Sequence, residues 1–136
     1  AQAAYESGWG TSRFAIEGNA LFGQWSWKEN NGMIPEDRGE DEKHEISKFN
    51  QIRYAVSAYK NNLNTHPFYE EFRKERARQR AGRLSGSISG MKLIEHVHKY
   101  SIRGNDYVLG LKKIIEQNAL QDFDKANLLV KKSGSI

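Results

Sequence analysis

One glutamate near the start of the chain stands where a carboxyl could do acid chemistry, in the segment Tyr5-Glu6-Ser7-Gly8-Trp9-Gly10. Residues 1–6 are good helix formers and the two glycines end a helix, so Glu6 is predicted in the last helical turn. Neighbouring apolar groups and the negative end of the helix would both raise the pKa of its carboxyl. A carboxyl with a raised pKa can act as a general acid near neutral pH, whereas the ordinary alternative is a solvated surface glutamate.

Ser7 and the histidines fit their possible catalytic roles poorly. A nucleophile elbow needs glycine two residues before the serine, and Tyr5 stands at that position. His96 and His98 are two residues apart, so a helix would point them in different directions, unlike the four-residue spacing of a zinc pair. We therefore expect neither a serine hydrolase nor a metal site, and the absence of cysteine excludes thiolate chemistry.

Charge is concentrated in two places. Residues 36–45 hold six acids against two bases, and residues 73–83 hold six bases against one acid. The acidic run lacks the alternating ligands of an EF-hand, so it is predicted to be a solvated loop that could bring a second carboxylate to a substrate. The basic stretch has no aromatic platforms beside it, so we expect a hydrated face or contact with an anionic polymer rather than nucleic acid.

Length and composition predict one globular domain. The chain has 136 residues, 38% of them hydrophobic, and a formal charge of +4. With no run of 18 apolar residues and no basic-then-apolar leader, we expect neither a membrane span nor a signal peptide in these residues. No capping residue precedes residues 1–6, so the chain is expected to begin inside a helix.

Patterning in the first half predicts a short helix, an aromatic loop and a β element. Thr11 or Ser12 can cap a helix whose core side chains would be Phe14, Ala15 and Ile16. Residues 18–35 lack helical period and are predicted to form a loop rich in aromatic side chains. The alternation over residues 44–49 predicts a short strand or hairpin with Ile46 on one face and Glu45 on the other.

Helical periodicity dominates the second half. Asn50 can cap a helix, and residues 68–72 open a second one after Pro67. Residues 91–97 predict a third helix, and residues 105–118 predict a fourth that ends at Asn118. The apolar positions assigned to the first of these helices are Ile52, Ala55, Val56, Tyr59 and Leu63.

Several motifs together resemble those of one bacterial enzyme family. The segment of residues 1–10 is followed by Gly18-Asn19-Ala20-Leu21-Phe22-Gly23. The other matching stretches are Phe22-Gly23-Gln24-Trp25, Asn61-Asn62-Leu63-Asn64-Thr65-His66-Pro67, and Tyr100-Ser101 with Arg103-Gly104. In this combination the chain resembles glycoside hydrolase family 73, the bacterial β-N-acetylglucosaminidases, and in particular the Bax-type branch of Gram-negative bacteria.

The resemblance implies a mostly helical α+β, lysozyme-like fold. In such a fold the helix that bears the acid faces a small β-lobe, expected here as a hairpin, across a groove for the sugar strand. Residues 1–118 would form the glucosaminidase domain, with the start of the acid's helix upstream of Ala1, and residues 119–136 a C-terminal extension. Glu6 would be the general acid.

Further site residues are carried over from the resemblance. A second carboxylate is expected from the β-lobe, with Glu45 as candidate and Glu42 or Glu40 as alternatives, because a one-residue slip exchanges the faces of a strand. Tyr100 is expected near the scissile bond, although the family pattern Tyr-Ala-Thr-Asp-Pro-x-Tyr departs here to Tyr-Ser-Ile-Arg-Gly-Asn-Asp-Tyr. Side chains expected to bind the sugar strand are Phe22, Trp25, Trp27, Tyr59 and Asn19.

The implied activity is that of an endo-β-N-acetylglucosaminidase that hydrolyses the β-1,4 bond after N-acetylglucosamine in peptidoglycan. We expect a monomer in the periplasm or cell envelope, without metal, cofactor or stable membrane insertion. Chitin-like glycan and N-glycan chitobiose also present N-acetylglucosamine, and inverting and substrate-assisted retaining mechanisms are both open. The alternatives from other classes are a non-catalytic glycan-binding or regulatory domain and a helical domain that binds nucleic acid through the basic stretch.

Overall fold

The computed structural model describes residues 1–26, 32–36, 39, 44–82 and 88–126. Its α-helices are α1 (Gln2–Ser7), α2 (Arg13–Gly18), α3 (Ile52–Thr65), α4 (Glu70–Ala81), α5 (Gly90–Leu93) and α6 (Asn105–Gln117). Its strands are β1 (Trp25–Ser26), β2 (Gly32–Met33) and β3 (Glu45–Ser47). Its 3₁₀ turns are Pro67–Tyr69, Ile94–His96, His98–Tyr100 and Leu120–Lys125. The mostly helical α+β class with a small β-lobe is confirmed.

The β-lobe is a sheet of three antiparallel strands rather than a hairpin, with β3 in the centre and β1 and β2 on either side. Ile46 of β3 lies opposite Trp25 on one side and Met33 on the other. The strand at residues 44–49 is therefore found, whereas β1 and β2 fall in the stretch predicted as loop. Each has only two residues, too few for an alternating pattern to reveal.

The turn after α1 follows from its glycine and serine. Gly8 takes the left-handed conformation at φ 56°, and its N–H bonds the carbonyl of Ala4, which ends the helix as predicted. The buried Ser7 hydroxyl donates to the carbonyl of Ala3 and accepts the N–H of Gly10 at 2.8 Å. Ser7 therefore holds the turn together.

The start of α2 is also as the capping rules predict, except for one side chain. Ser12 caps the helix by accepting the N–H of Ala15 at 3.2 Å. Ala15 is buried and Phe14 half-buried, but Ile16 is 70% exposed, so its assignment to the core is wrong. Successive residues are about 100° apart around a helix, so three consecutive side chains spread over about 200° and cannot all face one core.

The middle helices differ from the prediction at their ends. α3 begins after Gln51 rather than after a capping Asn50, and Ile52 and Val56 of its predicted apolar face are exposed. Periodicity identifies residues that share a face, but not whether another element covers that face. The helix expected over residues 91–97 is only the four-residue α5, continued by two 3₁₀ turns that still bury Ile94 and Val97.

The core gathers around α6, where Val108, Leu111 and Ile115 are buried. The main cluster consists of Leu63, Tyr69, Phe72, Ile94, Val97, Tyr107, Leu111 and Ile115. Asn118 follows the last residue of α6 as predicted, and Leu120 beyond it packs against the cluster. The domain boundary after residue 118 stays a prediction. Among the described residues, no helix is long and apolar enough to cross a bilayer.

Helix α1 packs closely on α6 because of one glycine. A Cβ added to Gly110 would lie 2.7 Å from Cε2 of Tyr5, well inside van der Waals contact. The Tyr5 ring is held in place by its edge-on contact with Tyr107 at 5.1 Å and by a hydrogen bond from Arg103 to its hydroxyl. This close approach sets the position of the residue that follows Tyr5, which is Glu6.

We predict that Gly110→Ala destabilises the protein by about 1 kcal/mol, because overpacking at Tyr5 costs more than alanine returns in helix propensity. Urea unfolding measures the loss. Gly82→Ala is the matched control, since Gly82 has an ordinary φ of −73° and its added Cβ would make an ordinary 3.5 Å contact. A Gly110→Ala variant as stable as wild type would contradict the close packing of α1 on α6.

Candidate active site

Glu6 lies half-buried in the last turn of α1, among aromatic side chains. Burial raises the pKa of its carboxyl, and a hydrogen bond with Tyr107 acts in the opposite direction with a smaller effect. Tyr59, Tyr69 and Tyr100 also interact with Glu6, and burial raises their own pKa values. Desolvation of the carboxyl, which the sequence predicts, is therefore present in the structure.

Gly23 brings the loop after α2 against the carboxyl. A Cβ added to Gly23 would lie 3.3 Å from Oε2 of Glu6, and its φ of 58° is in the left-handed region that favours glycine. The preceding residue, Phe22, is buried and stacks on Tyr59 with ring centroids 4.1 Å apart. The loop is therefore anchored beside the carboxyl by the aromatic ring and leaves no side chain at the point of contact.

Tyr100 holds the same loop from the other side. Its hydroxyl donates to the carbonyl of Phe22 at 2.7 Å, and its ring stacks on Tyr107 with centroids 5.9 Å apart. Burial and the neighbouring Glu6 raise the pKa of Tyr100, so it stays protonated. Tyr100 thus lies near Glu6, and its hydroxyl hydrogen is donated to the carbonyl of Phe22. Its catalytic role stays a prediction.

Glu45 lies on the central strand of the β-lobe and is 7% exposed. Its Cα partner on β1 is Ser26. On the β2 side, a Cβ added to Gly32 would lie 2.8 Å from the Cβ of Glu45, so this register needs glycine. The predicted strand position of Glu45 is found, and its role as second carboxylate stays a prediction. The alternatives Glu42 and Glu40 lie outside the described residues.

The predicted sugar-binding residues have different environments. Trp25 is 56% exposed and stacks on His44 with ring centroids 4.1 Å apart. Asn19 has φ 50° at the end of α2, and its Nδ2 donates to the carbonyl of Phe49 at 2.8 Å. That bond gives Asn19 a structural task, and its contact with substrate stays a prediction. Trp27 lies outside the described residues.

Two residues of the site, Tyr107 and Gln2, are not among the candidates drawn from the sequence. The Tyr107 hydroxyl hydrogen-bonds Glu6 and accepts a hydrogen bond from Nε2 of Gln2 at 3.0 Å. Tyr107 is the last residue of the segment that departs from the family's tyrosine pattern. Because that pattern also ends in a tyrosine, the sequence could have indicated Tyr107 as a site residue. Gln2 could have been found because it precedes Glu6 by one helical turn, which puts both side chains on the same face of the helix.

The other charged groups singled out in the sequence lie elsewhere or have structural partners. Among the described residues, no group of three or more His, Cys, Asp or Glu could hold a metal ion. Arg73 donates to the carbonyls of Leu63 and His66, which caps the end of α3. Lys74 pairs with Glu70 at 2.9 Å, as the four-residue spacing predicts. Part of the basic stretch therefore stabilises α3 and α4.

A desolvated carboxyl on a short helix, in a mostly helical α+β fold with a small β-lobe, is consistent with a glycoside hydrolase of the carboxyl-acid type. Residues 1–120 match the Glucosaminidase family, described as mannosyl-glycoprotein endo-beta-N-acetylglucosaminidase. The chain belongs to this family, and the recognition as glycoside hydrolase family 73 is confirmed.

Within that family the chain is similar to the protein bax of Escherichia coli (strain K12), to which it is 39% identical over 105 residues. The match covers 77% of this chain and 36% of the bax protein, so the chain spans about a third of that relative's length. No solved structure gives a significant match.

We predict that Glu6→Gln stabilises the protein near neutral pH. A raised folded-state pKa means that ionised Glu6 costs the folded state free energy, and this cost disappears as pH falls through the folded pKa toward the usual value of 4.5. Glutamine does not titrate and can still accept a hydrogen bond from Tyr107. Urea unfolding should show the gain at pH 7 and its decrease toward pH 4; a gain that is independent of pH would contradict the burial of the carboxyl.

Proposed function

We propose that this domain is an endo-β-N-acetylglucosaminidase that hydrolyses the β-1,4 bond after N-acetylglucosamine in peptidoglycan, with Glu6 as general acid. The observation that carries the proposal is the half-buried Glu6 carboxyl, whose pKa burial raises, in a chain of the Glucosaminidase family. The chemical class follows from the family, and the acid from the desolvated carboxyl beside Gly23.

The proposed first step is proton transfer. Glu6, protonated over a wider pH range than a solvated glutamate, gives its proton to the leaving glycosidic oxygen as the sugar ring flattens toward an oxocarbenium ion. The neighbouring Gly23 offers no side chain at the Oε2 side of the carboxyl. We place the leaving oxygen within hydrogen-bond reach of the Glu6 carboxyl.

The second step has two forms that differ in the role of Glu45. Glu45 could activate a water on the opposite face of the sugar, for which carboxyl separations of about 6.5–9.5 Å are usual in inverting enzymes. Alternatively, the acetamido group of the substrate attacks the anomeric carbon and configuration is retained. Tyr100, whose ring lies beside Glu6, would then border the reacting sugar.

The sugar strand is proposed to lie along the aromatic side chains beside Glu6. Trp25 is exposed and is proposed to contact a sugar ring, and Trp27 follows it two residues later in the chain. Phe22 and Tyr59, stacked on each other, would wall the groove near the acid. The proposed setting is the periplasm or cell envelope, where peptidoglycan lies, with the chain acting as a monomer without cofactor.

We predict that Glu6→Gln abolishes the release of reducing ends from purified peptidoglycan, because glutamine has no proton to give to the leaving oxygen. Mass spectrometry of wild-type products should find N-acetylglucosamine at the new reducing end. Glu17→Gln, at an exposed position of α2, is the matched control and should cleave normally. Binding without turnover by the wild type would instead indicate a glycan-binding domain, and N-acetylmuramic acid at the new end would indicate a muramidase.

We predict that Glu45→Gln lowers kcat at least about a hundredfold if Glu45 activates water, because general-base assistance contributes 10²–10⁴-fold. The rate should be measured with the same peptidoglycan and with circular dichroism to confirm the fold, since Glu45 is buried. Wild-type activity in Glu45→Gln would remove Glu45 from the mechanism and favour attack by the substrate acetamido group.

A further inference from the structure

Gln2 is a buried polar side chain one helical turn before Glu6 on α1. It is 8% exposed, and residues four apart in a helix lie on the same face. A buried primary amide loses the hydration of two N–H donors and one carbonyl oxygen, which is costly unless protein groups replace the water. The hydrogen-bond partners of Gln2 therefore matter for the stability of this end of α1.

The amide of Gln2 connects α1 to both long helices. Its Oε1 accepts a hydrogen bond from the hydroxyl of Tyr59 on α3, and its Nε2 donates to the hydroxyl oxygen of Tyr107 on α6 at 3.0 Å. In the structure the carbonyl oxygen of the amide thus faces Tyr59 and accepts its hydrogen. Gln2 consequently presents its nitrogen to Tyr107.

This orientation decides where the hydrogen of Tyr107 points. Because the Tyr107 oxygen receives the N–H of Gln2, its own hydrogen goes to its other neighbour, the Glu6 carboxyl. A hydroxyl that accepts one hydrogen bond also becomes a stronger donor in the next, by roughly 10–30% per bond. The hydrogen bonds therefore run in one direction, from Tyr59 through Gln2 and Tyr107 to Glu6.

We propose that Gln2 is a positioning residue for Glu6, which holds the Tyr107 hydroxyl with its hydrogen aimed at the carboxyl. The inference rests on the proposed role of Glu6 as general acid. As Glu6 releases its proton to the leaving oxygen, negative charge develops on the carboxyl, and a hydroxyl that already points at it stabilises this charge without reorienting. With the amide reversed, its oxygen would take the Tyr107 hydrogen, and Glu6 would lose its donor.

Gln2→Met tests the proposal, because methionine keeps the length of the side chain and removes the amide. We expect the pKa of Glu6, measured by ¹³C NMR titration of its carboxyl, to rise in Gln2→Met and in Tyr107→Phe, because each variant weakens or removes the hydrogen bond that lowers it. The double variant should resemble Tyr107→Phe alone, since both changes act through one hydrogen bond. A wild-type pKa in Gln2→Met, or fully additive shifts, would overturn the proposal.

The controls separate this effect from general disturbance of the fold. Gln117→Met, at the exposed end of α6, and Tyr54→Phe, at an exposed position of α3, should leave the Glu6 pKa unchanged. The other titratable neighbours of Glu6, which are Tyr59, Tyr69 and Tyr100, remain in every variant and are neutral at neutral pH. In the wild type, the side-chain amide resonances of Gln2 should titrate with the midpoint of Glu6. No inflection there would also overturn the proposal, even if Gln2→Met does not fold.

Kinetics on peptidoglycan give a second readout. Gln2→Met should lower kcat about tenfold with KM unchanged, because a hydrogen bond to a developing charge is lost. The basic limb of its pH–rate profile should move to higher pH, since a higher pKa keeps the acid protonated longer. An unchanged basic limb would count against the proposal. Because the NMR titration needs no substrate, a chain without hydrolytic activity would refute the proposed function while Gln2 remains testable.

Discussion

The Glu6 carboxyl is held half-buried among tyrosine rings, and its position depends on how the helices pack against each other. Burial disfavours the ionised form, while the hydroxyl of Tyr107 compensates part of the lost hydration. A carboxyl can stay there only if α1 is pressed firmly against α6. Gly110 permits this contact by leaving room for the ring of Tyr5, so the environment of the Glu6 carboxyl depends on a glycine that lies 104 residues away in the sequence.

The loop after α2 contacts the same carboxyl, and this loop is itself held in place by its neighbours. Phe22 is fixed by its stacking on Tyr59 and by the hydrogen bond that its carbonyl accepts from Tyr100. Gly23 then meets the carboxyl with backbone alone. Side chains from two separate segments, Tyr59 and Tyr100, thus hold one short loop, and such support from neighbouring groups keeps the Glu6 carboxyl at a defined place.

The tyrosines serve both packing and polarity. Each presents a large apolar ring to the core and a hydroxyl that must find a partner when buried. Tyr59 and Tyr107 find theirs on the amide of Gln2, and Tyr107 also reaches Glu6. The site is therefore apolar enough to desolvate a carboxyl and polar enough to direct hydrogen bonds at it. In the β-lobe, the strands approach each other closely at Gly32.

The sequence by itself determined what depends on neighbours along the chain. Helical period located α6, the glycine after Ser7 ended α1, Ser12 capped α2, and the motif around Glu6 led to the family. These features follow from local hydrogen bonds and side-chain spacing, which a linear pattern records. Strands β1 and β2 were not predicted, because each has only two residues and is defined by its pairing with β3 rather than by a pattern in its own sequence.

Only the tertiary structure decided which residues surround the Glu6 carboxyl. The contact of Gln2 with Tyr107 joins residues 105 positions apart, and that of Tyr100 with Phe22 joins residues 78 apart. The exposure of a side chain is equally non-local. Spacing predicts Ile16 and Ile52 as core residues, but both are exposed because no other described element covers them. Residue spacing indicates which side chains share a face, but the packing of the helices decides what covers that face. This packing is what desolvates the carboxyl of Glu6.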